Sequence, residues 1–141
     1  MTQRQRILLG FDFGLKRIGV ALGQELTGTA RPLCTLTVKN KQIPWQDISQ
    51  LIEQWQPGAL IVGLPLNKDD TEHSISRAAR RFGNQLNGRY NLSVYWVDER
   101  LTSYAAEQHL KQNSGNMDDI DSVAAQLILE SWLQNPVQNE S

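Results

Sequence analysis

The chain has 141 residues, 40% apolar and 21% charged, with a formal net charge of -1, which suits one hydrophobic core without covalent staples. A single cysteine, Cys34, excludes an internal disulfide and a thiolate metal cage. No apolar stretch reaches membrane-spanning length, and the near-neutral charge leaves any nucleic-acid binding to local patches rather than to an overall basic balance.

The opening run Met1-Thr2-Gln3-Arg4-Gln5-Arg6 leads straight into a strand-like segment with no leader pattern, so a cytoplasmic location is expected. The run Ile7-Leu8-Leu9-Gly10-Phe11-Asp12-Phe13-Gly14 reads as a buried central strand, with Gly14-Leu15-Lys16-Arg17 as the turn of a hairpin. Ile18, Val20 and Leu22 then alternate with Gly19, Ala21 and Gly23, a period-two strand whose second face is very small. A third strand is expected from about Thr29 to Val38, where Pro32 favours an edge or a bulge.

The period then changes. Trp45, Ile48, Leu51, Ile52 and Trp55 recur at helical spacing between Pro44 and Pro57-Gly58. Ala59 to Gly63 is a continuous apolar run, as in a strand covered on both faces. A helix follows with Ile75, Ala78, Ala79, Phe82 and Leu86 on one face, then a strand from Leu92 to Glu99. Thr102 is a candidate helix cap. The loose segment 112–116 precedes a last helix with Ile120, Val123, Ala124, Leu127, Ile128 and Ser131 as its apolar face. One domain over 1–141 is expected, with an ordered core of about 6–135 and short polar tails. A meander followed by β-α alternation implies an α/β fold with a mixed sheet and helices on its faces.

Three acids fall in awkward places. Asp12 closes the first strand, Glu99 ends the strand that begins at Leu92, and Asp121 sits between Ile128 and Trp132 on a wheel of roughly 100° per residue. Ligands of such sheets gather at the carboxyl ends of strands. Singly, each acid has a structural explanation. Asp12 can accept backbone hydrogen bonds in a tight turn, Glu99 can pair with Arg100 or Lys16, and Asp121 can favour a helix N-terminus. Jointly they suggest a divalent metal site, since clustered carboxylates repel without a counterion. Hard cations such as Mg²⁺ or Mn²⁺, as a pair, take carboxylate oxygens and suit metal-assisted phosphodiester hydrolysis.

Four segments, in this order, resemble the YqgF family. They are Phe11-Asp12-Phe13-Gly14-Leu15-Lys16-Arg17-Ile18-Gly19-Val20-Ala21, Val62-Gly63-Leu64-Pro65, Asp98-Glu99-Arg100-Leu101-Thr102 and Asp121-Ser122-Val123-Ala124-Ala125. The family comprises bacterial RNase H-like proteins described as Holliday junction resolvases and as nucleases maturing the 5′ end of pre-16S ribosomal RNA. The resemblance runs from about Leu8 to Trp132. It implies an RNase H-like five-stranded mixed sheet whose first three strands are antiparallel. It also implies that Asp12, Glu99 and Asp121 form the catalytic, metal-binding set. Asp98 matches as well, but strand alternation lets only one of the pair face the site, and Glu99 is preferred. Two positions depart from the family pattern. Asp119 stands where members commonly carry Lys, and Asp69-Asp70 replaces a common Asp-Gly.

Substrate phosphates need nearby cations. The candidates are Lys16, Arg17 and Arg100, adjoining the acids in sequence, and Arg77 and Arg81 on the middle helix. The expected partner is nucleic acid, with precursor rRNA favoured over branched DNA and ribosomal precursor particles as its setting; no membrane is involved. Two other functions compete with a nuclease. A sugar-kinase-like ATPase shares the Asp-x-Gly strand end but needs two large lobes. A non-catalytic nucleic-acid-binding module would keep the fold without the chemistry.

Overall fold

Phe11 pairs with Val20 on one side and with Val62 on the other, and this double pairing makes the first strand the axis of the sheet. The structure is a computed structural model that describes residues 6–65, 74–98 and 117–134. Residues 66–73, with Asp69 and Asp70 among them, Glu99, Arg100, the helix expected from Thr102, segment 112–116 and the C-terminal tail lie outside the described residues.

The elements run β1 (Ile7–Phe13), β2 (Arg17–Gln24), β3 (Thr29–Thr37), α1 (Trp45–Trp55), β4 (Ala59–Leu64), α2 (Ser74–Tyr90), β5 (Ser93–Asp98) and α3 (Met117–Gln134). The five strands form one sheet in the order β3-β2-β1-β4-β5. β1, β2 and β3 pair antiparallel, while β4 pairs parallel with both β1 and β5. The expected mixed sheet with an antiparallel first half is therefore present. Pro32 lies on the edge strand β3, where the register against β2 slips between Val20 and Ala21. An edge and a bulge both spare Pro the ladder hydrogen bond it cannot donate.

Strand alternation sorts the core into two layers. On one face Leu9, Phe11, Val20, Leu60 and Val62 pack beneath α1 and α2, joined by Ile48, Phe82 and Leu86. On the other, Leu8, Ala21, Ala59, Ile61 and Val97 meet Ala125, Ile128, Leu129 and Trp132 of α3. α1 ends where Gln56 turns left-handed at φ 45° and its N–H donates to the Ile52 carbonyl at 2.8 Å. Trp45 is half-buried against Phe82, and the Arg89 guanidinium lies 4.0 Å from the centre of its ring. In α2 the buried face is Ser76, Ala79, Phe82, Gly83 and Leu86, with Ile75 and Ala78 at its margin. The Ser76 hydroxyl donates to the Pro65 carbonyl, which fixes the start of α2 against the end of β4.

The seating of α3 differs from the expected face. Ser122, Ala125, Ile128, Leu129 and Trp132 are buried, whereas Val123, Ala124 and Leu127 are only half-buried. The cause lies in the sheet. Gly10, Gly19, Ala21 and Gly23 form a shallow stripe, and a Cβ at Gly10 would lie 2.5 Å from Leu129 Cγ. The helix is drawn in along that stripe, so the sheet's relief selects the face.

Candidate active site

Alternation along β1 sends Leu9, Phe11 and Phe13 toward α1 and α2, and therefore Asp12 toward α3, at the carboxyl end of the strand. Its antiparallel partner in β2 is Gly19. A Cβ at Gly19 would overlap the Asp121 carbonyl oxygen and crowd the Ser122 nitrogen, so the backbone of α3 rests directly on that glycine. Asp12 and Asp121 thus flank one point: the first is the cross-strand neighbour of Gly19, and the second sits on top of it. Directly opposed residues in an antiparallel pair lie only about 5 Å apart between Cα atoms, so the backbones of Asp12 and Asp121 meet at this point.

Asp121 is held there by charge. The Arg17 guanidinium donates from Nε to Asp121 Oδ2 at 2.7 Å, with the two side chains 31% and 19% exposed. Such charge-assisted bonds are among the stronger ones available to side chains. Arg17 therefore reaches the acid cluster from within the protein, and its guanidinium is already engaged by one carboxylate. Lys16, next to it in the turn, is exposed, and its backbone carbonyl accepts from the Val38 N–H at 2.9 Å.

The remaining expected residues divide. Asp98 ends β5 on the face of Val94 and Trp96, the layer opposite Asp12, as strand alternation requires. Arg77 and Arg81 are exposed on α2, across the sheet from α3. Glu99 and Arg100 lie outside the described residues. Among the described residues no group of three potential metal ligands is assembled. Two residues that the sequence reading did not assign to the site are Gly19 and Gly10, which permit α3 to approach. For Gly19 the signal was the small face of β2, whereas Gly10 stands alone in the apolar run of β1. Among the described residues no helix is long and apolar enough to cross a membrane.

The donor set fits a hard cation. Asp12 and Asp121 both offer carboxylate oxygens, the donors a hard cation takes, from neighbouring backbone positions, and Asp121 already binds a positive group.

Comparison with known proteins gives concordant results. The family model RuvX, described as Holliday junction resolvase, matches residues 6–135. A Nitrosococcus oceani protein named "Putative pre-16S rRNA nuclease" is 53% identical over 133 residues, covering 92% of this chain and 88% of that one. An Aeromonas salmonicida protein of the same name is 48% identical over 133 residues, covering 92% and 95%. Among solved structures, RuvC of T. thermophilus in complex with a Holliday junction substrate superposes with a TM-score of 0.59 at 13% identity, covering 94% of this chain and 96% of that one. The Fowlpox virus resolvase bound to Holliday junction DNA superposes at 0.55 and 12% identity, covering 93% and 99%. These structures share the RNase H-like fold with this chain.

Proposed function

The chain belongs to the RuvX family, the YqgF family of the sequence resemblance, and is a nuclease; we propose that it hydrolyses phosphodiester bonds in precursor 16S ribosomal RNA, at the 5′ end, with the help of divalent metal. The observation that supports this reading is the contact of the Asp121 backbone with Gly19, the strand partner of Asp12, with the Asp121 carboxylate held by Arg17.

In this reading Asp12 and Asp121 are ligands from β1 and α3. Glu99, which matches the family's acidic motif, completes the proposed set. Mg²⁺ or Mn²⁺, two ions when fully loaded, would supply an activated water and neutralise the leaving oxygen. The protein's part is positional. β1 and β2 hold Asp12 rigidly by continuous pairing. α3 delivers Asp121 on a glycine bed, and Arg17 keeps that carboxylate oriented. Lys16, Arg100, Arg77 and Arg81 provide positive charge along the substrate's path. The products are a 5′-phosphate and a 3′-hydroxyl. One domain over 1–141 carries the activity, in the cytoplasm, on ribosomal precursor particles.

A DNA junction is the second reading, favoured by the family description and by the fold shared with junction-bound resolvases. The RNA reading is preferred because the relatives at about half identity carry the RNA name, whereas the junction-bound structures are under 15% identical. The test is parallel cleavage of an end-labelled rRNA precursor and a four-way DNA junction with Mg²⁺, Mn²⁺ or EDTA. Metal-dependent cutting of the RNA at its mature 5′ end supports the proposal. Cutting of the junction alone transfers it to DNA, and cutting of neither leaves a non-catalytic binding module.

A further inference from the structure

Across the sheet from the acids, a groove of about 380 Å³ opens beside the β1–β2 turn. Its floor and walls are apolar, with Phe13, Val38 and Ile43 among them, and Leu15 stands at its mouth, 60% exposed. Two cations line it, Lys41 and Arg81, and none of the described residues lining it is acidic. An apolar cleft with charge of one sign at its edge is built for an amphiphilic, anionic guest.

Lys41 is set there at a cost in backbone energy. Lys39 and Gln42 bridge across a two-residue turn, closed by the Gln42 N–H on the Lys39 carbonyl at 2.9 Å. Asn40 and Lys41 both take left-handed backbone, at φ 53° and 60°. Such a turn favours Asn or Gly at both centres. Asn40 suits it, whereas Lys41 is the costlier residue. A strained side chain lining a groove is a pointer to function.

The groove also lies on a continuous route. Phe13 follows Asp12 directly in β1, and Leu15 and Lys16 form the turn between β1 and β2. A strand leaving Asp12 by way of that turn would pass exposed Lys16 before reaching the groove that Lys41 and Arg81 line. We propose that this groove binds one nucleotide of a single-stranded flank of the substrate, base or sugar against Leu15 and Phe13 and phosphate between Lys41 and Arg81. The inference rests on the nuclease reading and extends it by assigning a substrate subsite on the opposite layer. Apolar platforms beside cations are the common means of holding single strands without reading sequence.

The test uses the full chain and fluorescein-labelled single-stranded RNA and DNA oligonucleotides, with binding read by anisotropy in EDTA so that nothing is cut. Lys41→Gly is the discriminating variant, because it removes the charge and relieves the backbone. It is expected to raise the thermal midpoint while weakening binding, a combination that damage to the fold would not give. Combined with Arg81→Ala, it is expected to weaken binding about tenfold and to lower the salt slope by about 0.7 per lost phosphate contact. Arg31→Ala, on the edge strand β3, serves as the charge control and is expected to leave binding unchanged. Equal loss with RNA and DNA indicates recognition of base and phosphate, whereas loss with RNA alone adds the 2′-hydroxyl. If the double variant binds and cuts like wild type, the subsite is refuted and the groove is left to a protein partner, with the nuclease reading intact. If wild type binds neither oligonucleotide, the groove proposal falls; if it also cuts neither the precursor nor the junction, the nuclease reading falls with it.

Discussion

Arg17 and Asp121, 104 residues apart in sequence, are joined by a 2.7 Å charge-assisted hydrogen bond that ties the start of β2 to the first turns of α3. If Asp121 is a ligand as proposed, a metal ion would compete with the guanidinium for its carboxylate, and this one bond would link the stability of α3 with the proposed chemistry.

Replacing the guanidinium separates those roles. Arg17→Gln is expected to cost about 1 kcal/mol of stability, the scale of a partly exposed ion pair. It is also expected to tighten Mn²⁺ binding to the nucleic-acid-free protein several-fold, because a competing cation has gone from Asp121. Denaturant titration checks the first effect and calorimetric metal titration the second. Unchanged or weaker Mn²⁺ binding would show that Asp121 is not a ligand.

Gly19→Ala tests the bed on which the helix lies. The added methyl would overlap the Asp121 carbonyl oxygen, so α3 must lift or tilt. Overpacking of this kind costs about 1–3 kcal/mol, and more where backbone is the obstacle. Cleavage is expected to fall further than stability does, since the same displacement parts Asp121 from Asp12. Urea unfolding and cleavage rates on one preparation give both numbers.

The fold was legible where a repeat in the sequence had one physical cause. Period-two apolar residues in β1 and β2, the Pro44 and Pro57 punctuation of α1, and the continuous run of β4 each led to the observed element. The seating of α3 was not legible in the same way. That helix carries apolar residues around most of its circumference, so its periodicity does not single out a face. The choice is made by Gly10, Gly19 and Gly23 on other strands. Asp12 and Asp121 stood out as acids in apolar settings, whereas the partner of Arg17 was hidden. Nothing local at Arg17 signals a carboxylate more than a hundred residues away. Lys41 was missed because its meaning lies in a left-handed backbone that its side chain does not advertise.

Cys34 offers a check on the core layer beneath α1 and α2. Burial, with a smaller contribution from the Asp47 carboxylate, pushes its thiol above the ordinary range. The folded protein therefore holds the proton more tightly than the unfolded chain does. The corresponding stabilisation is fully present below the ordinary thiol value and is lost as the pH rises through the folded one. Stability is expected to decline on the alkaline side in wild type and less so in Cys34→Ala. Alkylation by iodoacetamide at neutral pH should be slow in the native state and fast in urea. Rapid native alkylation would contradict the burial.

The most direct measurement is metal-dependent cleavage by Asp12→Asn beside wild type, with urea unfolding of both. The substitution removes one charge and almost no volume, so the midpoint should stay within about 1 kcal/mol of wild type. Cleavage of the precursor RNA should fall by at least about a hundredfold, as loss of a principal charge from a catalytic site does. A folded Asp12→Asn protein that cuts at the wild-type rate would contradict the account, because the acid at the end of β1 would then take no part in the chemistry.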